Sequence, residues 1–378
     1  MIKIPFNRPH LFGNELLYMQ QAVEAGHISG DGVFTRRCRE FLEQRYGVSR
    51  VLLTASGTAA LEMAALLCRI GPGDEVILPA FTFVSTANAF VLRGAKPVFV
   101  DIRPDTLNMD EACVDAAAGP KTRVIVPVHY GGTACEMDAV EHIARRCGAA
   151  VVEDAAQAIE ARYRDRPLGT LGPLGALSFH ETKNVSCGEG GALFINDPAF
   201  IERAEILREK GTDRSKFFRG EVDKYTWVDI GSSFLPSDLQ AAFLLAQLEN
   251  LDIAMDRRRR IYEIYREALV PLESAGSVKL PVIPGHCRSN YHLFYLLCET
   301  EKVRDALLAF LKTRGILAVF HYLPLHLSPM GRTFGGRENQ CPVAESVSCR
   351  LIRLPFYNDL SPEDQDTVIR GVRDFFAR

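Results

Sequence analysis

Lys183 lies where a lysine can form a covalent bond to a ligand, in the run of residues 177–184 just before a glycine-rich turn at residues 188–191. A lysine amine forms a Schiff base with a carbonyl only when it is unprotonated, and a partly shielded position favours that state. A solvated surface lysine is the competing interpretation and carries equal weight for this run alone. The neighbouring motifs decide between the two.

Asp154 stands 29 residues before Lys183, at the end of the short apolar run 150–154. We expect this run to be a buried strand. An unpaired carboxylate is costly in such a place, so Asp154 should meet a cation. A protonated pyridine nitrogen is a cation of the right kind.

Residues that could hold a phosphate or a flat ring follow two other predicted strands. Gly57 and Thr58 open a predicted helix, whose free amides and dipole attract phosphate, although an ordinary helix cap is the competing interpretation. Ser178 precedes Lys183 by five residues and could donate a hydrogen bond to the same phosphate. Phe83 lies between a strand end and a helix, where it could stack on a planar cofactor or pack in the core.

A pyridoxal 5′-phosphate (PLP) site needs three kinds of group: an acid for the ring nitrogen, a lysine for the imine, and hydroxyls and amides for the phosphate. The sequence therefore predicts PLP as the cofactor and pyridoxamine phosphate as its intermediate form. No metal is expected, because the ten cysteines are scattered without a ligand spacing.

The composition limits the class of protein. With 378 residues, 47% hydrophobic, 24% charged and a net charge of −3, the chain has the composition of an ordinary globular protein and not of a nucleic-acid-binding one. Its start lacks the apolar core of a signal peptide, and no run is long enough to cross a bilayer. We expect a cytoplasmic protein with reduced thiols that does not bind membranes.

Short apolar runs alternate with segments of helical period over the first two thirds of the chain, which predicts an α/β fold with a mostly parallel sheet. The predicted strands are residues 51–54, 75–79, 97–101, 124–128, 150–154 and 192–196. Ligands of such sheets bind beyond the carboxyl ends of the strands. A long charged helix from about residue 248 and shorter strands at 291–298 and 317–322 predict a smaller α+β domain. The expected domains are 1–247 and 248–378.

The linked motifs resemble the DegT/StrS-type nucleotide-sugar aminotransferases over essentially the whole chain. This resemblance implies fold type I of the PLP-dependent transferases, which is the aspartate-aminotransferase-like fold with a mixed, mostly parallel seven-stranded sheet. It also implies a homodimer with active sites at the interface.

The resemblance also implies roles for single residues. Lys183 is the Schiff-base lysine and general acid/base, Asp154 pairs with the pyridinium, and Gln157 contacts the phenolic oxygen of the cofactor. Phe83 stacks on the ring, while the phosphate is held by Gly57, Thr58 and Ser178. Ser233 stands where the family usually has an asparagine that reaches the phosphate of the partner subunit.

Four runs, at residues 29–38, 83–94, 179–184 and 217–227, look like those of family members that make dTDP-4-amino-4,6-dideoxygalactose. This likeness implies that L-glutamate donates its amino group to carbon 4 of dTDP-4-dehydro-6-deoxy-D-glucose. The product would be a precursor of a surface glycan such as enterobacterial common antigen.

Candidate substrate contacts come from two kinds of segment. Residues 208–227 mix basic and aromatic side chains that suit a pyrophosphate and a base, although an exposed charged loop is an equal alternative. Strand ends and a family-like motif supply the other candidates. The expected contacts are Arg214, Arg219, Lys224, Tyr225, His129, Tyr322 and His326.

Three alternatives remain open from the sequence. Amination could occur at carbon 3 or on another nucleotide sugar. A sugar 3-dehydrase is disfavoured because related dehydrases carry a histidine in place of the Schiff-base lysine. A PLP-binding regulatory or sensor protein would be expected to carry an added DNA-binding or membrane segment, for which the sequence leaves no spare length.

Overall fold

The computed structural model describes residues 2–378 and contains a central seven-stranded sheet. Its strands follow the order β1-β9-β8-β5-β4-β2-β3, and β9 alone runs antiparallel to the others. The strands are β1 Arg50–Thr54, β2 Glu75–Pro79, β3 Lys96–Val100, β4 Thr122–Ile125, β5 Ala150–Asp154, β6 Arg162–Tyr163, β7 Arg166–Pro167, β8 Leu174–Ser178, β9 Gly191–Ile195, β10 Val278–Lys279, β11 Cys287–Arg288, β12 Tyr295–Cys298 and β13 Leu351–Arg353.

Helices connect these strands and cover both faces of the main sheet. The helices are α1 Glu15–Glu24, α2 Val33–Tyr46, α3 Gly57–Leu67, α4 Val84–Val91, α5 Glu111–Ala117, α6 Met137–Cys147, α7 Ile201–Arg208, α8 Arg214–Phe218, α9 Asp238–Leu248, α10 Leu251–Ser274, α11 Glu301–Thr313, α12 Pro329–Thr333, α13 Pro342–Arg350 and α14 Pro362–Phe376. Two hydrophobic clusters, one on each side of the sheet, make its strands buried on both faces.

The predicted α/β fold is confirmed, including the mixed and mostly parallel sheet of seven strands. Each predicted strand of the first two thirds forms; two have the predicted ends, and the other four are shifted by one to three residues at one or both ends. The seventh strand, β8, was not predicted as a strand, although its last residues belong to the motif before Lys183. Its position between β5 and β9 brings the Asp154 and Lys183 segments side by side.

The C-terminal part packs around a third hydrophobic cluster, formed by α10, α11, α14 and the small antiparallel sheet β10-β12-β13. Residue Ile4 from the start of the chain joins this cluster and pairs with Ile316. The predicted strand at 317–322 does not form, because only Val319 pairs with a neighbour, Arg353. The division at residue 248 stays a prediction.

Across residues 2–378, every helix is either too short or too polar to traverse a lipid bilayer.

Candidate active site

A cavity of about 720 Å³ opens at the carboxyl ends of β1, β5 and β8, and the C-terminal part of the chain closes its opposite side. Seven residues predicted for the cofactor line it, together with one predicted for substrate. These are Gly57, Thr58, Phe83, Asp154, Gln157, Ser178, Lys183 and Tyr322. The fold therefore gathers segments from residue 57 to residue 322 around one space, as expected for a parallel sheet.

Lys183 lies partly buried in the loop between β8 and β9. Its backbone amide donates to the carbonyl of His180 at 2.9 Å, and Gly188 with φ +82° lets the loop turn back into β9. Burial lowers the pKa of Lys183 from the ordinary 10.5 to about 8; the carboxylate of Asp154 opposes this shift and the guanidinium of Arg353 adds to it. Near neutral pH a useful fraction of this amine is therefore unprotonated and nucleophilic.

Asp154 ends β5 with only 5% of its surface exposed. One carboxylate oxygen accepts a hydrogen bond from the Thr86 hydroxyl at 2.7 Å, and the other accepts from the amide of Ala156 at 3.2 Å. Among the ion pairs within residues 2–378, none includes Asp154. A buried carboxylate that lines a cavity and has no ion-pair partner in the described residues suits a cationic ligand, which a pyridinium provides.

The helix α3 begins at Gly57, directly against the end of β8. The hydroxyl of Ser56 caps the helix by accepting from the amide of Ala59 at 3.0 Å. A side chain at Gly57 would lie 2.9 Å from Cβ of Ser178, and one at Gly191 would lie 2.4 Å from the backbone of Ser56. The two glycines thus allow a close approach that places a helix N-terminus and a serine hydroxyl on one side of the cavity, as phosphate binding needs.

Gln157 and Tyr322 meet across the cavity. The side-chain amide of Gln157 donates to the hydroxyl of Tyr322 at 2.8 Å and accepts from the amide of Gly131 at 2.7 Å. Phe83 is 56% exposed at the cavity, with its ring centroid 6.2 Å from that of Tyr322. An exposed aromatic ring at a cavity is available for stacking, which fits its predicted role.

Sequence reasoning missed three residues that line the cavity from the C-terminal part, His292, His321 and Arg353. The hydroxyl of Tyr130 pairs with Nδ1 of His321 at 2.6 Å, and the ring of His321 stacks on Tyr322 at 3.7 Å. Burial lowers the pKa of His292 and His321 well below the ordinary value, with further repulsion from Arg353, so both imidazoles are neutral. The motif that carries Tyr322 includes His321, which is the one signal that could have indicated it.

A buried polar network behind Lys183 fixes the tautomer of His292. The side-chain nitrogen of Asn184 donates to the carbonyl of Asn290 at 2.9 Å, so its oxygen faces Nδ1 of His292 at 2.8 Å. The proton of the neutral imidazole is therefore on Nδ1, which leaves Nε2 as an acceptor. Asn358 and the buried Arg258 complete the network, because Arg258 donates to Asn358 at 3.1 Å and Asn358 to the carbonyl of Asn184 at 3.0 Å.

His129 and His326 do not reach the cavity. Both have 0% of their surface exposed. Nε2 of His129 pairs with Glu153 at 2.9 Å, and Nε2 of His326 pairs with Glu345 at 3.0 Å. The prediction that these histidines contact substrate is corrected, since a side chain with no exposed surface cannot touch a ligand. They are hydrogen-bonded core residues.

The basic and aromatic residues predicted from the segment 208–227 lie on the surface and outside the cavity of this chain. Arg214 stacks over Phe218 at 5.1 Å, and Arg219 pairs with Glu205 and Glu221. Lys224, Tyr225 and Ser233 are exposed as well. Their predicted contacts with substrate or with the phosphate of a partner subunit stay predictions.

The model of the DegT/DnrJ/EryC1/StrS aminotransferase family matches residues 11–373. The chain belongs to this family. The DegT/DnrJ/EryC1/StrS aminotransferases are PLP-dependent transaminases, so that the predicted family, enzyme class and cofactor are confirmed.

Three similar proteins illustrate the match. The chain is 38% identical to the "Pleiotropic regulatory protein" of Geobacillus stearothermophilus over 85% of this chain and 83% of that protein. It is 34% identical to the spore coat polysaccharide biosynthesis protein SpsC of Bacillus subtilis, over 98% of this chain and 96% of that protein. Among solved structures, the putative sugar aminotransferase Spr1654 from Streptococcus pneumoniae in its PMP form superposes with a TM-score of 0.92 at 26% identity, covering 99% of each chain. The same protein is also known in a PLP form.

The residues of this DegT/DnrJ/EryC1/StrS aminotransferase fit PLP. Lys183 supplies the amine, Asp154 is a buried acid with no ion-pair partner in the described residues, and the α3 N-terminus with Ser178 forms a phosphate cradle that a side chain at Gly57 would fill. When bound, PLP supplies an electron sink for the bonds at the amino-bearing carbon.

Proposed function

We propose that this aminotransferase moves the amino group of L-glutamate to carbon 4 of dTDP-4-dehydro-6-deoxy-D-glucose. The products are 2-oxoglutarate and dTDP-4-amino-4,6-dideoxy-D-galactose, a precursor for a surface glycan of the enterobacterial common antigen type that is made in the cytoplasm. The observation that carries the transaminase chemistry is the placement of Lys183, with a pKa near 8, in one cavity with the buried Asp154. The choice of sugar rests on the four sequence runs that resemble family members with this product.

Each residue of the site has a task in this reaction. With PLP bound, Lys183 would be the group that takes up and returns the proton of the amino-bearing carbon, because its amine exchanges a proton near neutral pH. The hydroxyl of Thr86 and the amide of Ala156 orient the carboxylate of Asp154, which would hold a proton on the ring nitrogen of bound PLP. Gln157 orients the phenolic oxygen through the side-chain amide that also contacts Tyr322.

The wall of the cavity suits a keto-sugar. His292 offers an acceptor at Nε2, while the hydroxyl of Tyr322 and the ring of Phe83 stand beside it. Neutral acceptors and donors next to an aromatic surface are the groups that sugar hydroxyls and apolar sugar faces need. No charged residue is required to bind the sugar ring itself.

The homodimer is a second part of the proposal. Large apolar side chains stay exposed in three stretches, residues 11–33, 83–92 and 217–230. The ion pair between Arg208 and Asp31, at 2.6 Å, brings the first stretch close to the segment that leads to the third. A second copy of this chain would cover the exposed apolar side chains of these three stretches. Its segment 214–227 would then supply the basic and aromatic contacts for the nucleotide of the substrate.

The Geobacillus stearothermophilus relative is named a pleiotropic regulatory protein, which favours a second candidate, a regulatory or sensor role that uses the bound cofactor. Amination at carbon 3, or of another nucleotide sugar, is the third. The half-reaction in which the keto-sugar takes the amino group from pyridoxamine phosphate distinguishes these three candidate functions. Enzyme in the pyridoxamine phosphate form is mixed with dTDP-sugars that carry the ketone at carbon 4 or at carbon 3, and the return of the PLP absorbance is timed.

We expect the fastest return with the 4-keto-6-deoxy sugar. A faster return with a 3-keto sugar would move the proposal to carbon 3. No return with any sugar, despite intact cofactor, would favour the regulatory role.

A further inference from the structure

Two neutral histidines, His292 and His321, line the cavity from the C-terminal part of the chain. Burial is the main reason that the pKa of each imidazole lies well below its ordinary value, and the charge of Lys183 adds to the shift of both. Both rings therefore lie close to the reacting amine. A neutral imidazole carries one proton, on either Nδ1 or Nε2, and its other nitrogen accepts a hydrogen bond.

The buried hydroxyl of Tyr130 determines which nitrogen of His321 carries the proton. Burial raises the pKa of Tyr130 well above its ordinary value, so the hydroxyl keeps its proton. Its one hydrogen-bond partner within residues 2–378 is Nδ1 of His321, at 2.6 Å. A buried hydroxyl with this single partner donates to it, since its proton would otherwise be unsatisfied. Nδ1 of His321 is therefore an acceptor, and the proton of the ring is on Nε2.

His292 has the opposite arrangement. The side-chain oxygen of Asn184 accepts the proton of Nδ1 at 2.8 Å, so Nε2 of His292 carries a lone pair. Neither Nε2, of His292 or of His321, has a hydrogen-bond partner within residues 2–378, and neither is among the fully buried polar atoms of that range that lack one. The two nitrogens therefore open into the cavity, one as a donor and the other as an acceptor.

A donor and an acceptor in one cavity fit a ligand group that can both accept and donate. A hydroxyl is such a group. A carboxylate or a ketone oxygen has only lone pairs to offer and would face the lone pair of His292 without a proton between them. Glutamate has no hydroxyl, whereas the keto-sugar has several, so the two histidines suit the sugar half-reaction.

We propose that His292 and His321 together bind the sugar hydroxyl on the carbon next to the reacting ketone. His321 donates from Nε2 to the hydroxyl oxygen, and the hydroxyl donates to Nε2 of His292. In the keto-sugar of the proposed function, on which this inference rests, that hydroxyl is the one at carbon 3. Carbon 5, the other neighbour of carbon 4, carries a methyl group instead. The histidine pair thus favours a 4-keto sugar that keeps its carbon-3 hydroxyl.

The first test measures kcat/KM for the half-reaction in which the pyridoxamine phosphate form of the wild-type enzyme reacts with dTDP-4-dehydro-6-deoxy-D-glucose, the parent sugar. The same sugar without its carbon-3 hydroxyl should react with a kcat/KM about 10- to 100-fold lower, because it leaves a buried donor and a buried acceptor unpaired. The sugar without its carbon-2 hydroxyl is the matched control and should stay within about threefold of the parent sugar. An unchanged kcat/KM for the 3-deoxy sugar, or an equal loss for the 2-deoxy sugar, would overturn the proposal.

Substitution of each histidine shows whether the pair carries this discrimination. In His292→Phe and in His321→Phe we expect the ratio of kcat/KM for the parent sugar to that for the 3-deoxy sugar to fall to within about threefold of unity, since the hydroxyl has lost a partner. A general disturbance of the fold would lower both values and keep their ratio. His286→Phe is the matched control, because His286 is exposed outside the cavity and pairs with Glu136, and it should keep the wild-type ratio. A wild-type ratio in both cavity variants would contradict the proposal.

The second test needs no variant and no substrate. Neutron diffraction from deuterium-exchanged crystals of the wild-type PLP form locates the exchangeable protons directly. We expect deuterium on Nδ1 of His292 and on Nε2 of His321, with the other nitrogen of each ring bare. Any other distribution of deuterium over these nitrogens would overturn the proposal.

The sugar series also distinguishes a failure of the histidine pair from a failure of the proposed function. If the parent sugar is aminated at carbon 4 and the loss of its carbon-3 hydroxyl has no effect, the proposed function stands and the pair is wrong. If only a 3-keto sugar reacts, the proposed function is wrong, and the hydroxyls next to the reacting carbon are then those at carbons 2 and 4. An unchanged kcat/KM after removal of either of these would overturn the pair as well.

Discussion

At the scale of single residues, the site depends on how the charges around Lys183 balance. Burial and Arg353 favour the neutral amine, whereas Asp154 favours the ammonium, and the outcome is a pKa of about 8. An amine with this pKa is both a nucleophile and a proton carrier near neutral pH. The same lysine on the surface would be almost wholly protonated and unable to do either.

The pH dependence of cofactor attachment tests this balance. When apoenzyme is mixed with PLP, we expect the initial rate of imine formation to rise with pH, to reach half of its maximum near pH 8, and to level off roughly one to two pH units higher, because half of Lys183 is neutral at its pKa. The rate with N-acetyl-lysine methyl amide, measured in parallel, should continue to rise toward pH 10.5, the ordinary value for lysine.

Lys183→Ala is the control for the same experiment, since it should bind PLP without any imine absorbance. If the rate of imine formation in the native protein rises with pH in the same way as the rate of the free amine, through pH 9 and above, the result would contradict a shielded Lys183.

The sequence predicted much of the site at this scale but not all of it. Lys183 and Asp154 follow strands whose apolar character is plain, so their place at the sheet edge could be inferred. His292 and Arg353 could not be found in this way, because they come from distant parts of the chain that only the tertiary fold brings to the cavity. His129 was misplaced because a strand-end position does not show whether the side chain points into the core.

At the scale of elements, the contact between α3, β8 and β9 shapes the phosphate side of the cavity. The absence of side chains at Gly57 and Gly191 lets the helix N-terminus lie against the two strand ends. Gly57 does not have a left-handed backbone, so its requirement is space and not conformation. The glycine at position 57 is therefore needed for a steric reason that the sequence alone did not reveal.

Gly57→Ala tests this close approach. The new methyl group would lie 2.9 Å from Cβ of Ser178 and would push α3 from β8. We expect the affinity for PLP, measured by fluorescence titration of apoenzyme, to fall about tenfold or more, as a displaced hydrogen-bonding shell costs at least 1.4 kcal/mol.

Gly71→Ala is the matched control, because nothing lies within 4 Å of its new methyl group. Equal PLP affinity in the two variants would argue against the steric role of Gly57.

The elements themselves were predictable to different degrees. Strands β1 to β5 and β9 have apolar runs bounded by polar or glycine residues, which is a strong local signal. Residues 317–322 have a similar apolar character but meet a neighbouring strand at one residue only, where Val319 pairs with Arg353 of β13. Strand formation depends on such a partner, which the local sequence does not contain.

At the scale of the whole molecule, the proposed homodimer would cover large apolar side chains that a single chain leaves exposed. Phe218 and Trp227 are exposed by 70% and 75%, although both are large and apolar. Isolated exposed residues of this kind are ordinary, but here Phe218 packs against Phe217, whose ring lies 5.7 Å from that of Tyr225.

Trp227, the one tryptophan of the sequence, reports on that interface without any substitution. In the proposed dimer its indole is shielded from water, so we expect its fluorescence emission to shift to the red only on dilution below the dimer Kd, together with a fall in sedimentation coefficient. Trp227→Glu should give a monomer that binds the nucleotide sugar less tightly. An emission typical of a fully hydrated indole at high protein concentration would contradict this interface.

The product formed from glutamate and the keto-sugar tests the central claim most directly. The enzyme is incubated with L-glutamate and dTDP-4-dehydro-6-deoxy-D-glucose, and the new amine is located by NMR, with Lys183→Ala as the inactive control. The account predicts one new sugar, aminated at carbon 4 with the galacto configuration, and an equal amount of 2-oxoglutarate. An amine at carbon 3, a gluco configuration, or an unchanged keto-sugar would contradict it.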